Sequence, residues 1–226
     1  MARKDDIHAA YGKLGEGASL YDGMMTCTTP IGTAISRAVW GIGPKENAVY
    51  LDCVMDRIPE GFAGSLLEVP VGTGVLTMPL YAALPNAHIT CVDYSESMMA
   101  SAQERASAAC LANVAFQQGD VGALPFADEN FDIVLSLNGF HAFPNKEAAY
   151  AETYRVLKPG GLFVGCFYVK GSYPRTDWLI EHLYVPAGFF TPPFETYGSL
   201  LARLSGMYRT AHMEGFNSIA CFSCVK

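Results

Sequence analysis

The residues with the clearest chemical meaning lie in a short run that follows a buried apolar stretch. In "LLEVPVGTG", Glu68 precedes Gly72 and Gly74. Asp93 follows the glycines by about 20 residues, the distance typical of an acid that hydrogen-bonds ribose hydroxyls. Glycines let a backbone approach a ligand closely. The spacing predicts a site for a ligand that contains a nucleoside, a signal that many nucleotide-binding folds share.

The charge around this run distinguishes between nucleotide ligands. Between Arg57 and Lys146 the only Lys or Arg is Arg105, and the glycine loop has no lysine, which a Walker-type loop requires. A phosphate-bearing ligand favours a helix N-terminus, often with a cation nearby. An acid-lined crevice suits a ligand with a positive centre and an adenosine. S-adenosylmethionine has a sulfonium, an ammonium and a ribose, and no phosphate.

Pro70 stands where a first glycine is common in such loops. Proline has no N–H and a fixed φ, so the positive-φ option of glycine is lost. The end of a strand tolerates that loss. Because a ligand without a pyrophosphate needs no cradle of N–H groups, we expect Pro70 to be compatible with cofactor binding.

Alternating strands and helices must position these residues. The predicted strands are "GSLLEVPV", "AHITCVD", "NVAFQQGD", "FDIVLSLNG" and "LFVGCFYV". The predicted helices are "GVLTMPLYAAL", "SESMMASAQERASAACL" with Ser95 as N-cap, and "NKEAAYAETYRVL". Short apolar strands that alternate with helices indicate a parallel sheet covered on both faces.

Such a sheet binds ligands beyond the carboxyl ends of its strands, at the switch point beside the first strand. Glu68, Asp93, Asp120 and Asn138 all follow or end predicted strands. We therefore expect these four side chains around one crevice.

The two ends of the chain differ from this pattern. Residues 1–60 contain helical patterns but no clear strand, which predicts a helical cap on the sheet. Residues 171–198 form a connection rich in aromatic residues and proline. The last stretch, "MYRTAHMEGFNSIACFSCVK", predicts two strands joined by a turn around Gly215.

Composition excludes several classes of protein. The chain has 226 residues, of which 50% are hydrophobic, with a formal net charge of −7 and no basic block, so a nucleic-acid surface is not expected. It shows no secretory h-region and no apolar run that could span a bilayer, so we expect a cytoplasmic protein. Cys221 and Cys224 are three residues apart on a predicted strand and point to opposite faces, so no metal site is expected.

Four segments carry a family resemblance: "LLEVPVGTG", "ITCVDYSESMM", "QQGDVGALPFADENFDIVLS" and "RVLKPGGLFV". With these segments in this order, the chain resembles the class I S-adenosylmethionine-dependent methyltransferases, particularly the branch of the ubiquinone and menaquinone biosynthesis C-methyltransferases. The resemblance covers roughly residues 64–169. It implies a Rossmann-like, doubly wound, mostly parallel seven-stranded sheet with a C-terminal antiparallel strand and an N-terminal helical cap.

The resemblance also implies a set of cofactor-binding residues at the carboxyl ends of the strands: Glu68, Gly72, Gly74, Asp93, Tyr94, Asp120, Val121 and Asn138. Asp93 would bind both ribose hydroxyls, and Asp120 would accept the adenine amino group. Glu68 would face the methionine end. The structural alternatives are ordinary strand-end acids for Glu68 and Asp93, a cap for Asp120 and a turn residue for Asn138.

The candidates for the acceptor side are histidine and aromatic residues. His141, in "NGFHAFP", follows the fourth strand, where acceptors meet the methyl group in this family. It is either a catalytic base or a satisfied structural histidine. The further candidates are aromatic or histidine residues in the cap and after the fourth and fifth strands: Tyr11, Tyr21, Phe140, Trp178 and His182. The aromatic connection could also form a subunit contact or plain core.

The implied function is methyl transfer from S-adenosylmethionine to a small, apolar or aromatic acceptor. We expect one domain over residues 1–226, divided into a cap (1–60), a cofactor-binding core (64–169) and an acceptor-side part (170–226). Two alternative functions remain. One is a non-catalytic regulatory module that binds the same cofactor. The other is a nicotinamide-dependent oxidoreductase, which would favour glycine or alanine where Thr77 stands.

Overall fold

A single seven-stranded sheet forms the centre of the computed structural model, which describes residue 10 and residues 18–226. The strand order is β3-β2-β1-β4-β5-β7-β6. The strands are β1 (Ser65–Glu68), β2 (His88–Asp93), β3 (Val114–Gln118), β4 (Phe131–Leu137), β5 (Leu157–Tyr168), β6 (Thr210–Phe216) and β7 (Ile219–Val225). Strands β1 to β5 are parallel, and β7 is antiparallel to both of its neighbours. The predicted Rossmann-like, mostly parallel sheet is confirmed.

Helices cover the sheet and extend the chain at both ends. The N-terminal helices are α1 (Ala18–Thr26), α2 (Pro30–Trp40) and α3 (Pro44–Met55), which form the predicted cap. The crossover helices are α4 (Met78–Ala82), α5 (Glu96–Ala108) and α6 (Lys146–Val156). The C-terminal part adds α7 (Pro174–Leu179), a π-helical turn (Ile180–Tyr184) and α8 (Tyr197–Met207). No described helix is both long and apolar enough to cross a bilayer.

Polar side chains start the long helices where the sequence indicates. The Ser95 hydroxyl accepts a hydrogen bond from the Met98 N–H at 3.4 Å, which confirms the predicted N-cap of α5. Asn145 caps α6 in the same way, through the Ala148 N–H at 3.1 Å. Each bond satisfies one of the N–H groups that a helix start leaves without a partner.

Two apolar clusters lie on opposite faces of the sheet. Neighbouring residues of β1 belong to different clusters, Leu66 to one and Leu67 to the other, because successive side chains of a strand alternate in direction. Cys221 and Cys224 are divided between the clusters in the same way, as predicted. Both faces are therefore buried, which is the arrangement expected of a parallel sheet with helices on each side.

The structure differs from the sequence-based expectations in four places. The helix predicted from Gly74 begins only at Met78, because Gly74 adopts φ +70° and keeps the chain in a turn. The last two strands are joined at Asn217, with φ 52°, and Gly215 lies inside β6. Helix α8 was not predicted. The "LKPGG" segment lies within β5, where the register with β4 shifts.

Candidate active site

The loop after β1 needs glycine at two positions, Gly72 and Gly74, for different structural reasons. Both have positive φ, 58° at Gly72 and 70° at Gly74, a conformation that favours glycine. A Cβ at Gly72 would meet nothing within 4 Å, so this position faces open space. A Cβ at Gly74 would lie 2.9 Å from Met78 Cε and 3.2 Å from Ala102 Cβ. Gly72 therefore leaves room for a ligand, whereas Gly74 lets α5 pack closely on the loop.

Asp93 ties this loop to the end of β2. Its Oδ2 accepts the Gly72 N–H and its Oδ1 accepts the Ser95 N–H, each at 2.8 Å. Burial raises the pKa of Asp93 to about 6, and these backbone N–H groups oppose the rise. A carboxylate has about four lone-pair sites. Asp93 can therefore hold the loop and still accept hydrogen bonds from ribose hydroxyls.

Glu68 is a buried acid at the end of β1. The Tyr81 hydroxyl donates to Glu68 Oε2 at 2.7 Å. Burial raises the pKa of Glu68 to about 8, and the Tyr81 hydrogen bond opposes that rise. At neutral pH the Glu68 carboxyl is therefore mostly protonated, whereas the Asp93 carboxyl is mostly ionised.

All of the predicted cofactor-binding residues line one cavity at the carboxyl ends of the parallel strands: Glu68, Gly72, Gly74, Asp93, Tyr94, Asp120, Val121 and Asn138. The acidic residues in its described lining are Glu68, Asp93 and Asp120, and no Lys or Arg of the described chain lines it. Asp120 also caps a 3₁₀ turn (Val121–Ala123) by accepting the Gly122 N–H at 2.9 Å. The structure brings these residues together, and their binding roles stay predictions.

A second cavity of about 440 Å³ adjoins the first. Tyr21, Met25 and Asn138 line both cavities. The second cavity is rich in aromatic side chains: Tyr21, Trp40, Tyr50, Tyr168, Tyr184, Phe189 and Phe190. No Asp, Glu, Lys or Arg of the described chain lines it. We call it the aromatic cavity.

His141 lies in the wall of the aromatic cavity. Its Nδ1 accepts the Tyr168 N–H at 3.4 Å, and its ring stacks on Phe190 with centroids 4.0 Å apart. Burial, and to a smaller extent Lys146, lowers the pKa of His141 to about 3. The imidazole is therefore neutral and weakly basic. These electrostatics do not favour the predicted role as a general base.

Of the other acceptor-side candidates that the structure describes, one lines the cavities and three do not. Tyr21 lines both cavities. Phe140 is fully buried in the core, against rings that include Phe167, and lines neither cavity. Trp178, which is 55% exposed, stacks on His182, and neither lines a cavity. Tyr11 lies outside the described residues.

Several residues of the aromatic cavity were not found from the sequence. Trp40 ends α2, Tyr50 lies on α3, and Tyr168 ends β5. The only signal in the sequence was helical spacing: Asn47, Tyr50 and Val54 lie on the buried face of α3. That spacing predicts a buried face but does not show that the face borders a cavity.

Helix α1 is fixed to both sides of the site by polar contacts. The Thr73 hydroxyl donates to Asp22 Oδ1 at 2.6 Å, and Arg105 on α5 forms an ion pair with Asp22 Oδ2. On the other side, the Asn47 side chain donates to the Met25 carbonyl at 3.1 Å. These contacts hold Tyr21 and Met25 where the two cavities meet.

The fold and the site together define a Rossmann-like protein with an acid-lined ligand cavity at the switch point. A family model described as "Methyltransferase domain" matches residues 66–161. The chain is 30% identical over 182 residues to the ubiquinone/menaquinone biosynthesis C-methyltransferase UbiE of Paracoccus denitrificans, covering 80% of this chain and 67% of that protein. The chain therefore belongs to the class I S-adenosylmethionine-dependent methyltransferases, in the branch that contains UbiE.

Other relatives match a shorter part of the chain. UbiE of Dinoroseobacter shibae is 38% identical over 116 residues, which is 51% of this chain and 46% of that protein. The chain spans about half the length of the first curated relatives it matches, 46% and 54%. A solved S-adenosylmethionine-dependent methyltransferase of Thermotoga maritima, described as a possible histamine N-methyltransferase, has a TM-score of 0.61 and 21% identity over 80% of this chain and 90% of that chain. That likeness concerns the fold alone.

Proposed function

We propose that this chain transfers a methyl group from S-adenosylmethionine to a small, uncharged, apolar or aromatic acceptor. One observation carries the proposal: an acid-lined cavity and an aromatic cavity share a wall formed by Tyr21, Met25 and Asn138. Small-molecule sites are mostly apolar with a few placed polar groups, as the aromatic cavity is.

The residues present fit the cofactor of the family. The Asn138 side-chain nitrogen is buried and makes no well-aligned hydrogen bond within the described residues, although the Asn138 side chain lies within reach of the Tyr50 hydroxyl. A buried donor left in this state costs about 1–3 kcal/mol, which a polar group of a bound ligand would relieve. Asp93 would hold the ribose hydroxyls, Asp120 the adenine amino group, and Glu68 and Asn138 the methionine end. When bound, the cofactor supplies a methyl group that its sulfonium already activates.

The residues of this chain then orient the reactants and exclude water. Tyr21 and Met25 line the place where the two cavities meet. Trp40 and Phe190 form part of the apolar wall of the aromatic cavity, where the acceptor would bind. Holding two reactants in line within a dry site can supply much of the rate enhancement. A base is needed only for an acceptor that must lose a proton.

The choice of a small molecule over a nucleic acid rests on charge. The net charge of −7 disfavours contact with a phosphate backbone, and binding there would need a basic surface that releases counterions. A cytoplasmic location stays a prediction. A non-catalytic module that binds the cofactor and regulates a partner is the alternative that the experiment below distinguishes.

The first test is binding of S-adenosylhomocysteine measured by calorimetry, with NAD as the competing ligand. The second is transfer of a labelled methyl group to small phenols, quinols and lipophilic acids, with tRNA, DNA and histone-like peptides offered in parallel. We expect binding of S-adenosylhomocysteine and transfer to an uncharged small molecule. Binding without any transfer would support the regulatory module, and transfer only to a nucleic acid or a peptide would contradict the proposed acceptor class.

A further inference from the structure

The ring of His141 is fixed in orientation on several sides. Phe190 stacks on its face with an interplanar angle of 11°. The Tyr168 N–H donates to His141 Nδ1, and the Thr191 N–H donates to the His141 carbonyl at 2.9 Å. A ring held by stacking and by backbone contacts has little freedom to turn. Its second nitrogen, Nε2, therefore has a defined direction.

The hydrogen-bond pattern also indicates which nitrogen bears the proton. A neutral imidazole has one donor and one acceptor nitrogen. Because Nδ1 accepts the Tyr168 N–H, the proton resides on Nε2. Within the described residues, the hydrogen bond of the His141 ring is the one at Nδ1, and none is formed at Nε2; His141 lines the aromatic cavity. The ring thus presents an N–H donor that the protein itself does not use.

Two other polar groups in the lining of the aromatic cavity are already engaged. The Tyr168 hydroxyl donates to Asp177 Oδ1 at 2.7 Å, and the Asn47 side chain donates to the Met25 carbonyl. The rest of the lining is largely aromatic and aliphatic. In such surroundings a donor contributes to the choice of ligand, because a buried donor that finds no acceptor in the ligand is left unsatisfied.

We propose that His141 donates a hydrogen bond from Nε2 to an oxygen atom of the methyl acceptor, and so selects for acceptors that carry this oxygen. The proposal rests on the proposed function, and it deepens that function by naming the residue that recognises the acceptor. It gives His141 a binding role rather than the role of a base. The acceptor would be uncharged, with an oxygen that can reach the Phe190 side of the cavity.

The tautomer can be tested without any turnover. Nitrogen NMR of protein labelled in its histidines, with S-adenosylhomocysteine present, reports which ring nitrogen bears the proton. His141→Gln assigns the signal by its disappearance from the spectrum of the five histidines. We expect a neutral ring protonated at Nε2 at neutral pH. A ring protonated at Nδ1, or at both nitrogens, would overturn the proposal.

The selection for oxygen can be tested with two probes that differ by one oxygen atom, naphthol and naphthalene. Binding of each is measured by calorimetry with S-adenosylhomocysteine present and in its absence. We expect the wild type to prefer naphthol by roughly three- to tenfold, the range of one ordinary hydrogen bond. His141→Phe keeps a flat ring on Phe190 but lacks the donor, so the preference should vanish. His141→Gln, whose amide can donate from a similar position, should restore it.

The outcomes separate this proposal from the proposed function. A wild type without a preference for naphthol, or a His141→Phe variant that keeps the preference, contradicts the role of His141 even if methyl transfer is found. Failure of S-adenosylhomocysteine to bind contradicts the proposed function but leaves the preference measurable without it. Thermal unfolding of both variants checks that the fold persists, since His141→Phe also removes the acceptor of the Tyr168 N–H.

Discussion

At the scale of single residues, Asp93 and Glu68 show how burial gives two similar acids different properties. Asp93 accepts two backbone N–H groups, and its pKa rises only to about 6. Glu68 accepts a hydrogen bond from the Tyr81 hydroxyl, and its pKa rises to about 8. An ionised carboxyl accepts hydroxyl donors well. We therefore expect Asp93 to be the stronger determinant of ribose binding.

Asp93→Ala is expected to weaken binding of S-adenosylhomocysteine by roughly 1.5–3 kcal/mol, the range for hydrogen bonds to a charged group. The variant would lose the acceptors proposed for the ribose hydroxyls, and it loses the acceptor of the Gly72 N–H. Calorimetry measures the change. Glu104→Gln removes an exposed carboxylate from α5 and should leave the affinity as it is. Unchanged affinity in a folded Asp93→Ala protein would remove Asp93 from the site.

Glu68→Gln is expected to change how stability depends on pH. The pKa of Glu68 is about 8 in the folded protein, against an ordinary value of 4.5, so the folded state binds more protons between these values. The free energy of unfolding of the wild type should therefore fall as the pH rises through this window. Glutamine stays neutral, so the variant should show a shallower fall, and the part that remains includes Asp93. Urea unfolding across this pH range measures the free energy of unfolding of the wild type and of the variant. If this free energy changed equally with pH in the two proteins, the idea of a buried, protonated Glu68 would be contradicted.

At the scale of elements, α1 connects the loop after β1 with α5. Asp22 accepts from Thr73 and pairs with Arg105, and its side chain is only 11% exposed. The helix thereby holds Tyr21 and Met25 in the wall of the acid-lined cavity. Part of the site depends on an element that the sheet does not position.

Asp22→Asn keeps an acceptor for Thr73 but removes the charge that pairs with Arg105. We expect S-adenosylhomocysteine to bind more weakly by about three- to tenfold, in line with the 0.5–1.5 kcal/mol of one hydrogen bond. Amide hydrogen exchange should become faster in α1 and stay unchanged in β1 and β4. Asp52→Asn changes an exposed acid on α3 and is the matched control. If exchange in α1 is the same in both variants, the ion pair does not hold the helix.

The turns after β1 and β4 pack directly on each other. A Cβ at Gly139 would lie 2.3 Å from Pro70 Cδ and 2.8 Å from Phe143 Cζ. We expect Gly139→Ala to destabilise the fold by about 1–3 kcal/mol through overpacking. Gly198→Ala, at an exposed position of α8, meets nothing within 4 Å and should be stabilising by roughly 0.5–1 kcal/mol. Denaturant unfolding compares the two, and a neutral Gly139→Ala would show that the turns can separate.

The sequence predicted the elements whose contacts are local and missed those that depend on docking. The loop after β1 and the acid that ends β2 follow from glycine spacing and strand order, because parallel strands bring their carboxyl ends together. The aromatic cavity forms where Trp40 of α2 meets Phe190, with ring centroids 6.1 Å apart. These residues are far apart in the chain, and no periodicity specifies which faces meet. The turn between the last two strands lies at Asn217 and not, as predicted from the sequence, at Gly215, because Asn also tolerates positive φ.

At the scale of the whole molecule, a ligand that binds only the folded state must stabilise every element. S-adenosylhomocysteine at about 100 times its dissociation constant should add about 2.7 kcal/mol to the free energy of unfolding. We expect a corresponding rise in the melting temperature, and none with NAD at the same concentration. An equal rise with NAD would support the nicotinamide-dependent alternative. Asp93→Ala should lose most of the rise, because the ligand contacts are weakened.

The shared wall between the two cavities has a consequence for the sequence of events in one catalytic cycle. Because Tyr21 and Met25 line both cavities, a cofactor bound in the first cavity as proposed would also form part of the surface that the acceptor meets in the second. Cofactor would then add before the acceptor, and the methylated product would leave before S-adenosylhomocysteine. Such compulsory order makes the by-product compete with the cofactor alone. An accumulating pool of by-product would therefore slow the protein even when its acceptor is abundant.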